Sequence, residues 1–229
     1  MRKLFLCISI LSAFGTAAYA QACATGYCPA TITVHHKIGA VSPVTGDITY
    51  NVISTTAFGA ASGGYCLLDR NLGVTTLPTS VSDYTNGTGW YFQFGRKKGW
   101  ANLAGVTAGL STYTVAYATP STNWSSANDP CTLLLGSSWR IPTQTEGVGF
   151  TTGTPTTLYT TWKMCLNSYI TDVGTQGGSG SSFNWLSTFS SSASGRAIYG
   201  ANATTTYINT DSEPYNIGFP VRCIKNFAN

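Results

Sequence analysis

The 229-residue chain carries 12 Lys and Arg against 8 Asp and Glu, a formal net charge of +4, and charged residues make up only 9% of it. Soluble proteins typically hold about 25%, and a nucleic-acid binder needs clustered Lys and Arg to neutralise phosphates, so that class is excluded. Polarity comes instead from Gly, Ser, Thr, Asn and Tyr, which suits an extracellular protein that meets sugars, surfaces or its own copies.

Residues 1–20 have the composition of a secretory signal peptide. Arg2 and Lys3 form its basic end, residues 4–14 its apolar centre, and Ala18-Tyr19-Ala20 an A-x-A cleavage site. The apolar run is too short to span a bilayer and no other stretch qualifies, so no transmembrane anchor is expected in the mature chain. Removing these 20 residues and their two charges would leave 209 residues and a charge of +2, the size of one domain.

The cysteine count agrees with export. One of the seven cysteines lies in the signal peptide, and the six that remain are Cys23, Cys28, Cys66, Cys131, Cys165 and Cys223. An even number in an exported chain predicts three disulfides, although six cysteines allow 15 pairings and their spacing cannot choose among them. Zinc is the competing use, but no Cys-x-x-Cys pair or neighbouring His is present, so neither a metal site nor a cofactor is expected.

Residues 21–45 are predicted as an N-terminal extension with one strand, because β-branched residues partly alternate over Thr31–Ile38. His35 and His36 are the only histidines; they would point to opposite faces of that strand, so they make a poor metal pair and are expected to be solvated. Ser-His or Cys-His catalysis would have to use one of them. The sequence also lacks a G-x-S-x-G elbow and a phosphate-binding loop. No catalytic residue is therefore expected, and the protein is predicted not to be an enzyme.

A first short block, Tyr65–Gly73, combines apolar residues with a charged pair. Its leucines would be buried, whereas Asp69 and Arg70, followed by Asn71, are expected to form an ion pair. An Arg held by a carboxylate among aromatic residues is more often a structural clamp than a catalyst. The block is therefore predicted to stabilise the domain.

A second block, residues 86–100, is rich in aromatic residues and ends in a basic turn. On a strand, alternate side chains from Trp90 to Phe94 would lie on opposite faces, and one set would fill the core. Exposed aromatic rings can stack on sugars or cover a partner, and Arg adds a fork of donors. The candidate binding residues are Trp90, Tyr91, Arg96, Lys97 and Trp100.

The central block follows an Asn-Asp-Pro turn and ends in a helix start. Trp139 and Ile141 would face the core while Arg140 points the other way, as on a strand. Thr143 and Glu146 fit the capping box, in which a hydroxyl and a carboxylate each satisfy a free amide of the first helical turn.

The rest of the chain predicts one short helix and several strands. Apolar side chains at helical spacing indicate an amphipathic helix over residues 158–166, with Cys165 on its buried face. Residues 174–182 are predicted as a flexible polar loop and residues 183–188 as a strand. A last strand within residues 218–225 would close the domain.

Together these blocks resemble the Fibrobacter succinogenes major paralogous domain, a family common among secreted and surface proteins of Bacteroidetes-type bacteria. The matching blocks run from about residue 48 to residue 225. The matching residues to which a structural role is assigned are Asp69, Arg70, Asn71, Trp139, Arg140, Pro142, Thr143, Glu146, Trp185 and Arg222. Three positions depart from the pattern: Gly147 replaces a tryptophan, and Leu186 and Pro220 replace serines.

The resemblance implies that residues 46–229 form a compact α+β domain with a C-type-lectin-like fold, related also to the formylglycine-generating enzymes. Such a domain has mostly antiparallel strands, one or two short helices and long loops held by disulfides. The resemblance also implies that Cys131 pairs with Cys223. A local Cys23–Cys28 loop and a Cys66–Cys165 bridge would complete the set.

The favoured function is a secreted or cell-surface recognition or adhesion module that binds a glycan or a protein through loops. The alternative is a self-assembling subunit of a surface filament (a fimbria) or coat, because low charge and an N-terminal strand suit strand exchange between copies. A second alternative is an oxidoreductase like the formylglycine-generating enzymes. That chemistry depends on a reactive cysteine pair, whereas an even cysteine count favours bonded cysteines.

Overall fold

The computed structural model describes residues 28–56, 64–101, 113, 119–150, 154–191, 194–201 and 208–227, so the predicted signal peptide and Cys23 lie outside the described residues. Strands predominate in this part of the chain, and its helices are short. The elements are β1 (Thr31–His36), β2 (Gly46–Thr55), β3 (Tyr65–Leu68), α1 (Tyr84–Gly87), β4 (Tyr91–Gln93), β5 (Gly99–Trp100), α2 (Pro130–Leu135), β6 (Trp139–Arg140), α3 (Gln144–Phe150), α4 (Pro155–Trp162), β7 (Asn167–Ile170), β8 (Gln176–Ser191), β9 (Ser194–Ala201), β10 (Ile208–Pro214), β11 (Gly218–Phe219) and β12 (Ile224–Asn226).

The strands form two antiparallel sheets. Five strands are ordered β1-β2-β3-β12-β6, and seven are ordered β10-β9-β8-β7-β11-β4-β5. The larger apolar cluster contains side chains of both sheets, and the smaller one adds α3 and α4. The prediction of a mostly antiparallel α+β fold is confirmed, although the described residues form four short helices rather than the one or two expected. Within the described ranges, no helix is long and apolar enough to cross a membrane.

The predicted N-terminal extension forms the edge of the five-stranded sheet. β1 pairs with β2 from Thr31 opposite Asn51 to His36 opposite Gly46. Alternation along the hairpin buries Val34 on the core side. The same alternation buries His36, which is only 3% exposed, so the expectation that both histidines are solvated is wrong for this one.

Two disulfides fasten the described chain. Cys131 is bonded to Cys223, as the resemblance implies, and closing a loop of 92 residues stabilises the fold by about 4 kcal/mol in the chain-entropy model. Cys28 is bonded to Cys66, so the predicted Cys23–Cys28 and Cys66–Cys165 pairs are wrong. The β1–β2–β3 order explains this, because it brings the start of β1 close to β3.

Cys165 is a free and buried thiol. The predicted helix ends early, at Trp162, because Lys163 adopts a left-handed conformation with φ 55° that closes the helix. Cys165 therefore lies after the helix, where its Sγ packs so closely on Gly87 that no side chain would fit there.

Peptide mapping of the protein without reductant tests this connectivity. We expect to recover Cys28 linked to Cys66 and Cys131 linked to Cys223. Cys165 should resist alkylation in the folded protein and react once the chain is unfolded, because folding buries its thiol. A peptide that links Cys66 to Cys165 would contradict the structure.

The aromatic block 90–94 is buried on both faces rather than on one. Tyr91, Phe92 and Phe94 are completely buried, and Trp90 and Gln93 nearly so. β4 pairs with β11 and β5, and the burial of consecutive residues shows that other parts of the protein cover both of its faces.

The residues predicted as a flexible loop at 174–182 belong mostly to β8, which starts at Gln176. β8 pairs with β7 on one side and with β9 on the other. Pairing with β7 holds this Gly- and Ser-rich stretch in the sheet, and pairing with β9 begins at Ser181, so tertiary pairing overrides the preference of its composition. The predicted strand at 183–188 is confirmed as the middle of β8.

The central block has the predicted geometry. Trp139 and Ile141 are buried, while the Arg140 side chain is 32% exposed and donates to both carboxylate oxygens of Glu146, at 2.7 and 2.6 Å. The capping box is confirmed: the Thr143 amide donates to Glu146 Oε2 at 2.8 Å, and the Glu146 amide to Thr143 Oγ1 at 3.4 Å. Burial alone would raise the pKa of Glu146, but the hydrogen bonds from Arg140 and Thr143 outweigh it and lower the pKa.

Asp129 joins the two halves of this block. Its carboxylate accepts the amides of Cys131 and Thr132 at the start of α2, at 2.8 and 3.2 Å. It also accepts the amide of Ile141 just after β6, at 2.9 Å. These three hydrogen bonds lower the pKa of Asp129, but burial outweighs them and raises it. Asp129, which the sequence places in a turn, therefore forms a buried link between α2 and the end of β6.

Two of the departures from the family pattern contact each other. A Cβ atom built on Gly147 of α3 would lie 2.7 Å from both methyl carbons of Leu186 on β8. Leu186 is completely buried. The missing side chain at 147 thus makes the space that the larger residue at 186 fills.

This contact predicts that the effect of Gly147→Ala on stability changes sign when Leu186 is replaced by alanine. Gly147→Ala should destabilise the protein by about 2 kcal/mol, because the new methyl group overpacks against Leu186. In a Leu186→Ala background the same change should be neutral or stabilising by up to about 1 kcal/mol, since Ala favours a helix more than Gly does. Urea unfolding of the four proteins measures both effects; an equal cost in the two backgrounds would contradict the contact.

Candidate binding site

The predicted binding residues do not form an exposed aromatic surface, and this part of the prediction is corrected. Trp90, Tyr91 and Trp100 are 3%, 0% and 5% exposed. The Tyr91 hydroxyl lies 2.6 Å from Ser168 Oγ inside the protein. Only the basic turn reaches solvent, with Arg96 half-buried and Lys97 exposed. These five residues therefore split between the core and a surface turn.

One of them, Trp90, lines a cavity of about 260 Å³. Loops and element ends supply its walls: the end of the β1–β2 hairpin, the loop after β3, α1 and the residue after β5. The described lining residues, none of which is charged, are Val44, Ile48, Gly73, Val74, Thr75, Thr76, Thr85, Asn86, Gly89, Trp90 and Ala101. We call this space the Trp90 cavity.

Arg70 holds the loop that contributes residues 73–76 to the Trp90 cavity. Its guanidinium donates to Asp69 Oδ1 at 2.9 Å, which confirms the predicted ion pair, and to the Thr49 carbonyl at 2.9 Å. A weaker hydrogen bond of 3.4 Å reaches the Thr75 carbonyl. The Gly73 amide donates to the hydroxyl of Tyr50 at 2.9 Å. The predicted structural clamp thus positions a cavity wall.

Asp83 holds the opposite wall, at α1. Its carboxylate accepts the Thr79 amide at 2.9 Å and both the amide and the side-chain Nδ2 of Asn86. Burial alone would raise the pKa of Asp83, but these hydrogen bonds outweigh it and lower the pKa. An ionised carboxylate only accepts hydrogen bonds, so the Asn86 amide must present its nitrogen to Asp83. Its carbonyl oxygen Oδ1 is then turned away from Asp83.

Asn71 connects both walls to the core. Its Nδ2 donates to the carbonyls of Gly87 and Thr88, at 3.0 and 3.3 Å, just before the Trp90 segment. Its Oδ1 accepts from Asn184 Nδ2 at 2.9 Å and from Arg222 Nε at 3.0 Å. Every polar atom of this buried side chain is therefore used.

Arg222 is buried, and no carboxylate of the described residues is bonded to it. Its remaining donors go to the main-chain carbonyls of Leu68 and Trp162, both at 2.9 Å, and of Lys163 at 3.3 Å. Burial lowers its pKa to about 10, with Asp69 partly opposing the shift. The side chain remains charged at neutral pH and links β3, the end of α4 and Asn71.

Trp90 is fixed between a glycine and a histidine. The indole lies against the backbone of Gly73, whose φ of 89° and missing side chain allow the close approach. The edge of His36 meets the ring with centroids 4.7 Å apart and planes at 79°. Neither imidazole nitrogen of His36 has a hydrogen-bond partner among the described residues. Burial lowers the pKa of His36 to about 4, with Asp47 opposing and His35 adding to the shift.

His36 should make the protein sensitive to acid. Its pKa is about 4 in the folded state and 6.5 in the unfolded chain, so stability is full above pH 6.5 and falls by up to about 3 kcal/mol as the pH drops to 4. His36→Phe should remove this loss, measured by urea unfolding between pH 7 and pH 4. His35→Gln is the matched control, because His35 is exposed and should leave the acid sensitivity intact. Equal slopes for the wild type and His36→Phe would contradict the assignment.

The described cysteines offer no pair of reactive thiols. Four are bonded, and burial raises the pKa of Cys165 to about 12, so its thiol stays protonated at neutral pH. Within the described ranges, no group of three or more His, Cys, Asp and Glu side chains is placed to hold a metal ion.

Sequence reasoning missed most of the Trp90 cavity. It singled out Trp90, and it identified Arg70 and Asn71 as structural. It gave no role to the threonines at 75, 76 and 85 or to the Asn86 side chain, since isolated polar residues in loops carry no periodic signal. Asp83 likewise received no role, yet it anchors the wall that holds Asn86.

No protein-family model, no curated protein and no solved structure matches this chain. The resemblance to the Fibrobacter succinogenes major paralogous domain stays a prediction from the motifs.

Proposed function

We propose that the protein is a secreted or cell-surface recognition module that binds a glycan through loops of a C-type-lectin-like scaffold. The observation that carries the proposal is the Trp90 cavity, whose walls come from separate chain segments and are fixed by buried and partly buried hydrogen bonds. A site held rigid before binding loses less conformational entropy when the ligand arrives. Such a site suits recognition.

The lining chemistry favours a glycan over a protein. Valine, isoleucine, alanine and tryptophan side chains stand beside threonine hydroxyls and one asparagine amide. Sugars have the same mixture, an apolar C–H face edged by hydroxyl groups. A protein interface of standard size buries about 800 Å² on each partner and needs a broad surface rather than a small hollow. The glycan is therefore the better fit.

Two features support the lectin-like part of the proposal. The domain is mostly antiparallel sheet with few short helices, and Cys131 and Cys223 tie the central block to the end of the chain. Both agree with what the resemblance implies. The location proposed is extracellular, which the two disulfides favour.

The oxidoreductase alternative is weaker, because it needs a thiolate. Cys165 is buried and protonated at neutral pH, while Cys131 and Cys223 are bonded to each other. We therefore propose a non-catalytic role.

A self-assembling subunit is the second candidate. β1 is an edge strand, and the described residues place β2 on one of its sides and no strand on the other. An open edge can add a strand from a second copy. Size-exclusion chromatography and negative-stain microscopy would reveal such assembly as long regular polymers.

A glycan array tests the proposed function. The mature chain should be retained on a subset of glycans, and the retention should persist in EDTA, because the Trp90 cavity has no carboxylate or histidine among its described lining residues. A monomer retained on the array supports recognition. A chain that polymerises and is retained on no glycan would favour the assembly alternative instead.

A further inference from the structure

We infer that the Trp90 cavity takes one uncharged sugar residue at the end or branch of a glycan and rejects acidic sugars; this inference rests on the proposed function. Size, charge and the arrangement of polar atoms each support it.

The size of the cavity limits the ligand. About 260 Å³ lies just below the range of about 300–1,000 Å³ that is usual for drug-sized ligands. A single pyranose ring suits that volume, whereas two linked rings would extend out of it. The rest of the glycan would then lie over the loops that form the rim.

Charge excludes an acidic sugar. Arg70, which bonds to the cavity wall at Thr75, already donates to Asp69 and to the Thr49 and Thr75 carbonyls, and its guanidinium lies 5.6 Å from the centre of the Tyr50 ring. A carboxylate entering the cavity would lose its water without gaining a cationic partner, which is costly. It would also approach Asp83, which is held ionised beside Asn86.

The polar atoms suit hydroxyl groups. Because Nδ2 of Asn86 is committed to Asp83, Oδ1 is the atom that this side chain can offer, and it accepts a hydrogen bond from a ligand hydroxyl. The hydroxyls of Thr75 and Thr76 can both donate and accept. Both threonines are exposed at the rim, where a sugar can reach them.

Trp90 has a more limited role than open stacking. Since the ring is only 3% exposed, it forms a small part of the cavity wall and contributes apolar contact rather than a stacking platform. Val44 and Ile48 from the β1–β2 hairpin add apolar surface. Together they offer the C–H face of a sugar a wall to contact.

Cavity-filling variants test the inference. Thr76→Tyr and Val44→Phe each place a ring in the cavity from a different loop, and Ser82→Tyr places the same ring on an exposed position near α1 that does not line the cavity. The probes are the methyl glycosides of glucose, galactose, mannose and N-acetylglucosamine, with methyl glucuronide as the acidic comparison. Titration calorimetry and ligand-observed NMR measure binding, and thermal unfolding confirms that each variant is folded.

We expect at least one neutral glycoside to bind to the wild type. The same glycoside should bind at least tenfold more weakly to both filled variants and with unchanged affinity to Ser82→Tyr. Methyl glucuronide should bind to the wild type at least tenfold more weakly than that glycoside. If both filled variants are folded and are still retained on the glycan array, the cavity is not the binding site, although the proposed function would still hold. Equal binding of methyl glucuronide would overturn the selectivity. If the wild type is retained on no glycan, the proposed function itself fails.

Discussion

The Arg222–Asn71 contact is the interaction on which the rest of the structure depends. A buried guanidinium without a carboxylate partner is stable only if its donors are satisfied, and here they reach Asn71 and main-chain carbonyls at the ends of β3 and α4. Asn71 in turn holds the backbone at 87 and 88. One buried cation thus sets the position of the segment that leads into Trp90, and the shape of the cavity follows from it.

Local signals in the sequence predicted local structure well. The capping box of Thr143 and Glu146, the Asp69–Arg70 pair and the strand at 183–188 depend on neighbours in the chain, and all are present. Features that depend on distant segments were not predictable. The Cys28–Cys66 bond requires the strand order of the sheet, and residues 176–182 belong to a strand because they pair with β7 and, from Ser181, with β9. The cavity is of this second kind, because four separate segments build it.

The contact between Gly147 and Leu186 bears on how departures from a family pattern should be interpreted. Taken singly, each departure weakens the resemblance, because one removes a large side chain and the other adds one. In the structure the two positions touch, and Leu186 occupies the space that a side chain at 147 would need. Cores tolerate such exchanges when total volume is conserved. Two departures that compensate each other count as one change in packing rather than as two.

The two disulfides also determine how the protein would respond to mechanical tension. Force applied to the two ends of the chain would cross from Cys28 to Cys66 and from Cys131 to Cys223 through covalent bonds, which bypass everything between the bonded residues. Between the two bonds, tension would act on residues 67–130, which could be drawn out to roughly 220 Å. Most of the Trp90 cavity lies in that segment, whereas Val44 and Ile48 lie in a shielded one. Stretching the oxidised protein would thus pull the cavity apart, while residues 29–65 and 132–222 would carry no tension themselves.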